Sequence, residues 1–124
     1  KDKRPDILKT LKENFYFERR GFNYSNRNIF NKPIFSIKKN YFRFRYLREY
    51  IEAAYILKKQ NLSKKKIEAL DFLDELLKKK KFQYKYKLND GDIIILNNNY
   101  LAHGRSSFKI DGTEQRSLMR VWTK

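Results

Sequence analysis

Two helical periods lie side by side near the middle of this chain, with short strand-like runs on either side. That order constrains the fold more than any other feature. Residues 47–60 carry Leu47, Tyr50, Ile51, Ala54 and Leu57 along one side, and residues 64–79 carry Ile67, Leu70, Leu73, Leu76 and Leu77. Both spacings are those of amphipathic helices. Asn61, Leu62 and Ser63 break the first helix, and Ser63 stands where the N-cap of the second belongs. Lysines collect at the second helix's C-terminal end, where the helix dipole favours cations. Strand and helix do not alternate along the chain, which argues against a doubly wound parallel sheet. The pattern predicts a mainly β fold with helices (α+β): an antiparallel sheet or barrel with the two helices packed outside it.

The flanking runs fill in that expectation. Pro5 and Asp6 are helix-start signals, and Ile7, Leu8, Leu11 and Phe15 share one face of a helix predicted over 4–16. An Asn-rich polar loop follows, through Asn31. Residues 33–37 (PIFSI) and 41–46 (YFRFRY) read as a hairpin, with Phe42 and Phe44 alternating with Arg43 and Arg45 at the period of a strand. Phe82, Tyr84 and Tyr86 alternate with polar residues, a further strand signal. Asn89, Asp90, Gly91 and Asp92 form a turn, with Gly91 placed for positive φ. Residues 93–96 (IIIL) predict a strand buried on both faces. Residues 106–110 and 116–123 are two more strand candidates, joined by a turn at Asp111, Gly112 and Thr113.

Composition excludes several classes. The 124 residues include ten Phe and nine Tyr, an aromatic load that argues against disorder. The absence of cysteine rules out disulfide scaffolds, cysteine-ligated zinc and iron–sulfur clusters. No apolar run approaches the ~20 residues of a membrane-spanning helix, and no signal-peptide pattern is present. The default expectation is a cytoplasmic protein with no membrane partner. The net charge of +16 would ordinarily suggest a polyanion. Most of the basic residues are lysine, however, and Lys, Asn, Ile, Tyr and Phe are the residues of A/T-rich codons. Charge alone does not decide function.

The only histidine is His103. It follows the apolar run and a polar Asn97-Asn98-Asn99 step, and it precedes Gly104 and Arg105. Arg116 and Arg120 are four apart on a predicted strand and so share a face. Guanidinium matches the two oxygens of a carboxylate with paired, charge-assisted hydrogen bonds. Two arginines on one strand face near a histidine suit an anionic ligand.

The segments GDIIILNNNYLAHGRSSF and RSLMRVW resemble the C-terminal signature of the taurine dioxygenase-like (TauD/TfdA) oxygenases, and in this region the clavaminate synthase-like members look closest. RPDILKTLKENFYFERRG, PIFSIKKNYFRFRYLREYIEAA and ALDFLDELL are similar to the family's central region, so the resemblance covers nearly the whole chain. It implies a double-stranded β-helix (jelly roll), here a partial one with a helical insertion packed outside. It also implies Fe(II) with 2-oxoglutarate as cosubstrate, and oxidation of an unactivated C–H bond of a small molecule by O2. His103 takes the place of the family's distal iron-binding histidine. Arg116 takes that of the arginine pairing with the far carboxylate of 2-oxoglutarate. Arg120 matches a position that faces a substrate anion in several relatives, which suits an anionic or zwitterionic substrate. Asn98 matches the Asn of a common Asp-Asn pair, and Asn97 stands where the Asp usually is. Both read as turn formers.

One departure is as informative as the match. Iron in such sites is held by two histidines and a carboxylate, two of them in an upstream His-x-Asp/Glu motif. A chain with one histidine cannot contain that motif. The expectation is therefore that residues 1–124 are the C-terminal portion of a single oxygenase domain, a fragment inert by itself. Such a piece would expose sheet edges and be prone to aggregate; a degenerate remnant is the alternative. Oligomeric state and substrate identity are not legible.

The competing functional class is a non-enzymatic nucleic-acid-binding module. It rests on the net charge, on Arg43 and Arg45 between aromatics that could stack bases, and on Lys78, Lys79, Lys80 and Lys81. A strand with one core face accounts for the first pattern and a helix C-terminus for the second, so nucleic acid is not the expected partner. A serine hydrolase fails sooner. Ser106 and Ser107 follow His103, but no nucleophile elbow surrounds them and no acid is placed to orient the ring.

Overall fold

A computed structural model describes residues 4–19, 29–39, 41–104, 119 and 121. In order these form helix α1 (Pro5–Leu11), strands β1 (Asn14–Glu18), β2 (Ile29–Pro33), β3 (Phe35–Lys38) and β4 (Tyr41–Phe44), helices α2 (Arg48–Leu57) and α3 (Lys64–Lys78), and a 3-10 turn at Lys80–Phe82. The class is α+β, with small antiparallel sheets. No helix among the described residues is long and apolar enough to cross a membrane.

The first helix is shorter than the sequence predicts. Pro5 opens it and the Thr10 hydroxyl donates to the Asp6 carbonyl (3.1 Å), but it ends at Leu11 and β1 begins at Asn14. Phe15 fits both the helical spacing from Leu11 and the strand alternation with Phe17, and the strand wins. Phe15 and Phe17 are both buried, whereas Leu8, predicted on the apolar face, is exposed. β1 pairs antiparallel with β2, Phe17 facing Phe30 with stacked rings 5.3 Å apart. Part of β2 thus lies in what reads as polar loop.

The predicted hairpin is present as β3 and β4, with Phe35 facing Phe44 and Lys38 facing Tyr41. Its first strand is interrupted, because the chain turns at Ile34. That residue is fully buried; its N–H donates to the Leu11 carbonyl (3.1 Å) and its carbonyl accepts from the Arg45 N–H (2.9 Å). One residue therefore ties the end of α1 to both hairpins.

A two-stranded hairpin is marginal alone, and the helices supply what these two lack. Ile7 and Leu11 of α1, Phe15 and Phe17 of β1, Ile34, Phe44, Ile51 and Tyr55 of α2, and Ala69, Leu70 and Leu73 of α3 form one buried cluster. α2 packs on β1 and α1 on α3. On α2 the buried side is set by Ile51, Ala54 and Tyr55, with Leu47 exposed; on α3 by Ala69, Leu70 and Leu73, with Ile67 exposed. α2 ends at Leu57, before the predicted break. Ser63 does hold the N-cap position of α3, but through its carbonyl, which accepts from the N–H groups of Lys66 (2.9 Å) and Ile67 (3.0 Å); its hydroxyl makes no cap bond.

Beyond α3 the sequence expectation fails in two places. Phe82 closes the 3-10 turn, and Tyr84 and Tyr86 lie in exposed, non-ladder backbone rather than a strand. Residues 93–96 are not a buried strand either: Ile93 is 86% and Ile95 93% exposed. A strand exists only with a partner for its backbone, and among the described residues no ladder pairs with this run. The same absence means that the described residues do not close a jelly roll. The strand candidate at 106–110, the turn after it and the Asn-rich stretch over 20–28 lie outside the described residues; of the candidate at 116–123 only Met119 and Val121 are described, both exposed.

Candidate functional site

The approach to His103 is built from two turns and one anchor. At the first turn Gly91 has φ +86°, the left-handed conformation expected of it. The Asp92 N–H donates to the Asn89 carbonyl (3.1 Å), and the Asp92 carboxylate accepts from the Asn89 N–H (2.8 Å) and the Tyr86 hydroxyl (3.0 Å). At the second, the Tyr100 N–H donates to the Asn97 carbonyl (3.0 Å) and the Asn97 side-chain oxygen accepts from the Asn99 N–H (3.0 Å). Asn97 is thus a turn former, as its residue type predicts.

The second turn is fastened to β4. The Phe44 N–H donates to the Asn99 carbonyl (2.7 Å), while the next N–H, that of Arg45, points the opposite way to Ile34. Asn99 therefore sits on the edge of β4 away from β3. The Tyr100 ring packs beside Tyr41 and Phe42, 6.2 Å from each. Residues 101–104 continue from this anchor, and His103 is exposed. Among the described residues no hydrogen bond holds its ring.

Over residues 1–122 the chain matches the family described as "Taurine catabolism dioxygenase TauD, TfdA family". The chain belongs to the TauD/TfdA family. No curated protein and no solved structure matches it.

Members of the TauD/TfdA family use Fe(II) and 2-oxoglutarate. The residues of this chain do not by themselves fit a three-ligand iron centre. The sequence offers one histidine and no cysteine, and among the described residues no three His, Asp or Glu side chains converge. The acid nearest in sequence before His103, Asp92, is already committed to Asn89 and Tyr86. Arg116 and Arg120 lie outside the described residues.

Two groupings escaped sequence reasoning. Arg48, at the start of α2, donates to Glu52 (2.7 Å), Asp71 (2.6 Å) and Asp74 (2.7 Å), and the Tyr46 hydroxyl donates to Asp74. The bond to Glu52 raises the Arg48 pKa most; desolvation comes next and opposes it, and the bonds to Asp71 and Asp74 add to the rise. Burial first, then the bond to Asp74, pushes the Tyr46 phenol up. Arg48 and Glu52 at i,i+4 were a visible signal; the link to Asp71 and Asp74 was not. The second grouping is Arg45, whose guanidinium lies over the rings of Phe30 (4.7 Å) and Phe17 (5.9 Å). The alternation in YFRFRY marked it as strand-facing, without showing what it faces.

Proposed function

We propose that the chain is the C-terminal portion of an Fe(II)- and 2-oxoglutarate-dependent dioxygenase domain acting on a small anionic or zwitterionic molecule, with the jelly roll of its family completed outside the described residues. The observation that carries this reading is the family match across 1–122, together with His103 and Gly104 just past the anchored turn. His103 would contribute one iron ligand, Arg116 would pair with the far carboxylate of 2-oxoglutarate, and Arg120 would face the substrate's anionic group. The single histidine supports the fragment reading, since the remaining ligands must then come from residues beyond these 124. Oxidation of the C–H bond belongs to the assembled site, and the chain alone should be inert.

The chain's own contribution is binding and orientation. A guanidinium at Arg116 offers two parallel donors to a carboxylate and would fix which end of the cosubstrate faces His103. Removing one partner of a desolvated pair costs about 2–4 kcal/mol. The test begins with the coding DNA upstream of Lys1. An in-frame His-x-Asp or His-x-Glu supports the oxygenase, and a start codon directly before Lys1 with no such motif defeats it. In the protein carrying that motif, Arg116→Ala should weaken 2-oxoglutarate binding at least tenfold by titration. Unchanged affinity would remove Arg116 from the cosubstrate site.

A further inference from the structure

Most cations with a described side-chain hydrogen bond are matched by carboxylates. Arg4 pairs with Asp6 and Glu68, Arg48 with Glu52, Asp71 and Asp74, Lys65 with Glu13, and Lys78 with Glu75. One cluster is different. Arg45 follows β4 and is two residues from Arg43, so the two share a strand face. Its guanidinium lies 4.7 Å from the centre of Phe30 and 5.9 Å from that of Phe17. Arg19, just past β1, lies over the same Phe30 ring at 5.5 Å. Phe17 and Phe30 are stacked at 8°, and the Phe30 ring contacts both guanidinium groups.

None of the three arginines has a carboxylate partner or a side-chain hydrogen bond among the described residues. Arg45 is exposed as a residue, but its guanidinium rests on ring faces. Lost hydration there, then repulsion from Arg43 and Arg19, lowers its pKa, with only Tyr50 acting the other way. A cation–π contact uses the face of the guanidinium. Its five N–H donors point outward along the edge, and no described residue accepts from them. Two guanidinium groups on one ring, with a third like charge near Arg45, are an arrangement that an oxyanion stabilises.

We infer that Arg45, with Arg19 and Arg43, forms a binding site for a small oxyanion: a carboxylate, sulfonate or phosphate group. This site shares no residue with His103, Arg116 or Arg120 and does not depend on the oxygenase reading. Arg45 is the central donor because its guanidinium lies over both rings. Arg19, exposed just past β1, lies over the same Phe30 ring.

The test is a titration of the 124-residue chain with inorganic phosphate, methanesulfonate and acetate at constant ionic strength, reading the arginine Nε–Hε resonances by NMR. A saturable shift of Arg45 with at least one anion is expected, and the preferred anion names the ligand's head group. Arg45→Gln should weaken that binding about tenfold or more, the loss of a hydrogen bond to a charged group. Arg45→Lys, which keeps the charge but loses the planar fork, should weaken it too. Arg19→Gln, at an exposed strand end, gives a second variant that leaves the core untouched and should also weaken it. Arg4→Gln should leave it unchanged. No saturable shift with any of the three anions overturns the site. Equal weakening by Arg4→Gln overturns it as well, since that outcome means general attraction to a basic surface.

Discussion

The segment over 83–104 and the body over 4–82 are both rich in large apolar residues, yet they end in opposite states. In the body Phe15, Ile34, Ile51 and Leu70 are fully buried, whereas Ile93 and Ile95 in the segment are almost fully exposed. Hydrophobicity does not separate the two; backbone hydrogen bonding does. A helix satisfies its own N–H and C=O groups and can bury a face against whatever lies beside it. An apolar strand needs a neighbour on at least one edge before its side chains can be covered. The body has such pairs in β1–β2 and β3–β4. Among the described residues the segment reaches β4 through one backbone hydrogen bond, from Phe44 to Asn99, and the packing of the Tyr100 ring on Tyr41 and Phe42.

The largest effect should come from truncating the same kind of side chain in the two regions. Phe17→Ala or Leu70→Ala empties a packed site and should cost about 3–5 kcal/mol. Ile95→Ala in the isolated chain should change stability by no more than about 0.5 kcal/mol, as an exposed substitution does. Denaturant midpoints for the three variants check this. A cost for Ile95→Ala near that of Leu70→Ala would erase the contrast, because it would place the 93–96 run in a packed core.

A smaller effect tests what holds the two central helices together. Arg48 and Asp74 are each about a quarter exposed, at 28%, so their pair is only partly screened. Arg48→Met keeps the stem's packing but strands Asp71 and Asp74 beside Tyr46. The expected cost is about 2 kcal/mol by thermal or denaturant unfolding. Asp74→Asn in the Arg48→Met background should recover part of it. A double-mutant cycle with no coupling would show the cluster to be incidental to the α2–α3 contact.

How much of this was legible depended on how local each signal was. α3, the hairpin over β3 and β4 and the Gly91 turn were readable because each is fixed by residues within a few positions. The boundary between α1 and β1 was not, because Phe15 satisfies helical and strand periods equally and burial by α2 settles the choice. The run at 93–96 was misread because an apolar strand declares its need for cover, not its partner. Arg48's bonds to Asp71 and Asp74 cross 23 and 26 residues, which no spacing rule reaches. The candidate site was legible only through resemblance: nothing in the lone His103 itself distinguishes a metal ligand from a surface imidazole.

The smallest predicted effect concerns how each region handles a left-handed backbone position. In the segment Gly91 takes φ +86°, and no atom lies within 4 Å of where a Cβ would stand. In the body Lys59 takes φ +51°, with a Cβ that disfavours that conformation. Lys59 holds it because α2 ends there: the Lys59 N–H donates to the Ile56 carbonyl (2.9 Å) and the Gln60 N–H to the Tyr55 carbonyl (3.0 Å). Those two bonds are a Schellman closure, a motif whose left-handed residue is most often glycine. Lys59→Gly removes the steric penalty but adds freedom to the unfolded chain. The gain should outweigh the loss by about 0.5–1 kcal/mol, raising Tm by about 3 °C for a body of this size. Lys59→Ala, which keeps the Cβ, should give no such rise. If both variants shift Tm equally, the gain comes from removing a lysine from a basic surface, and the backbone at the end of α2 is not strained.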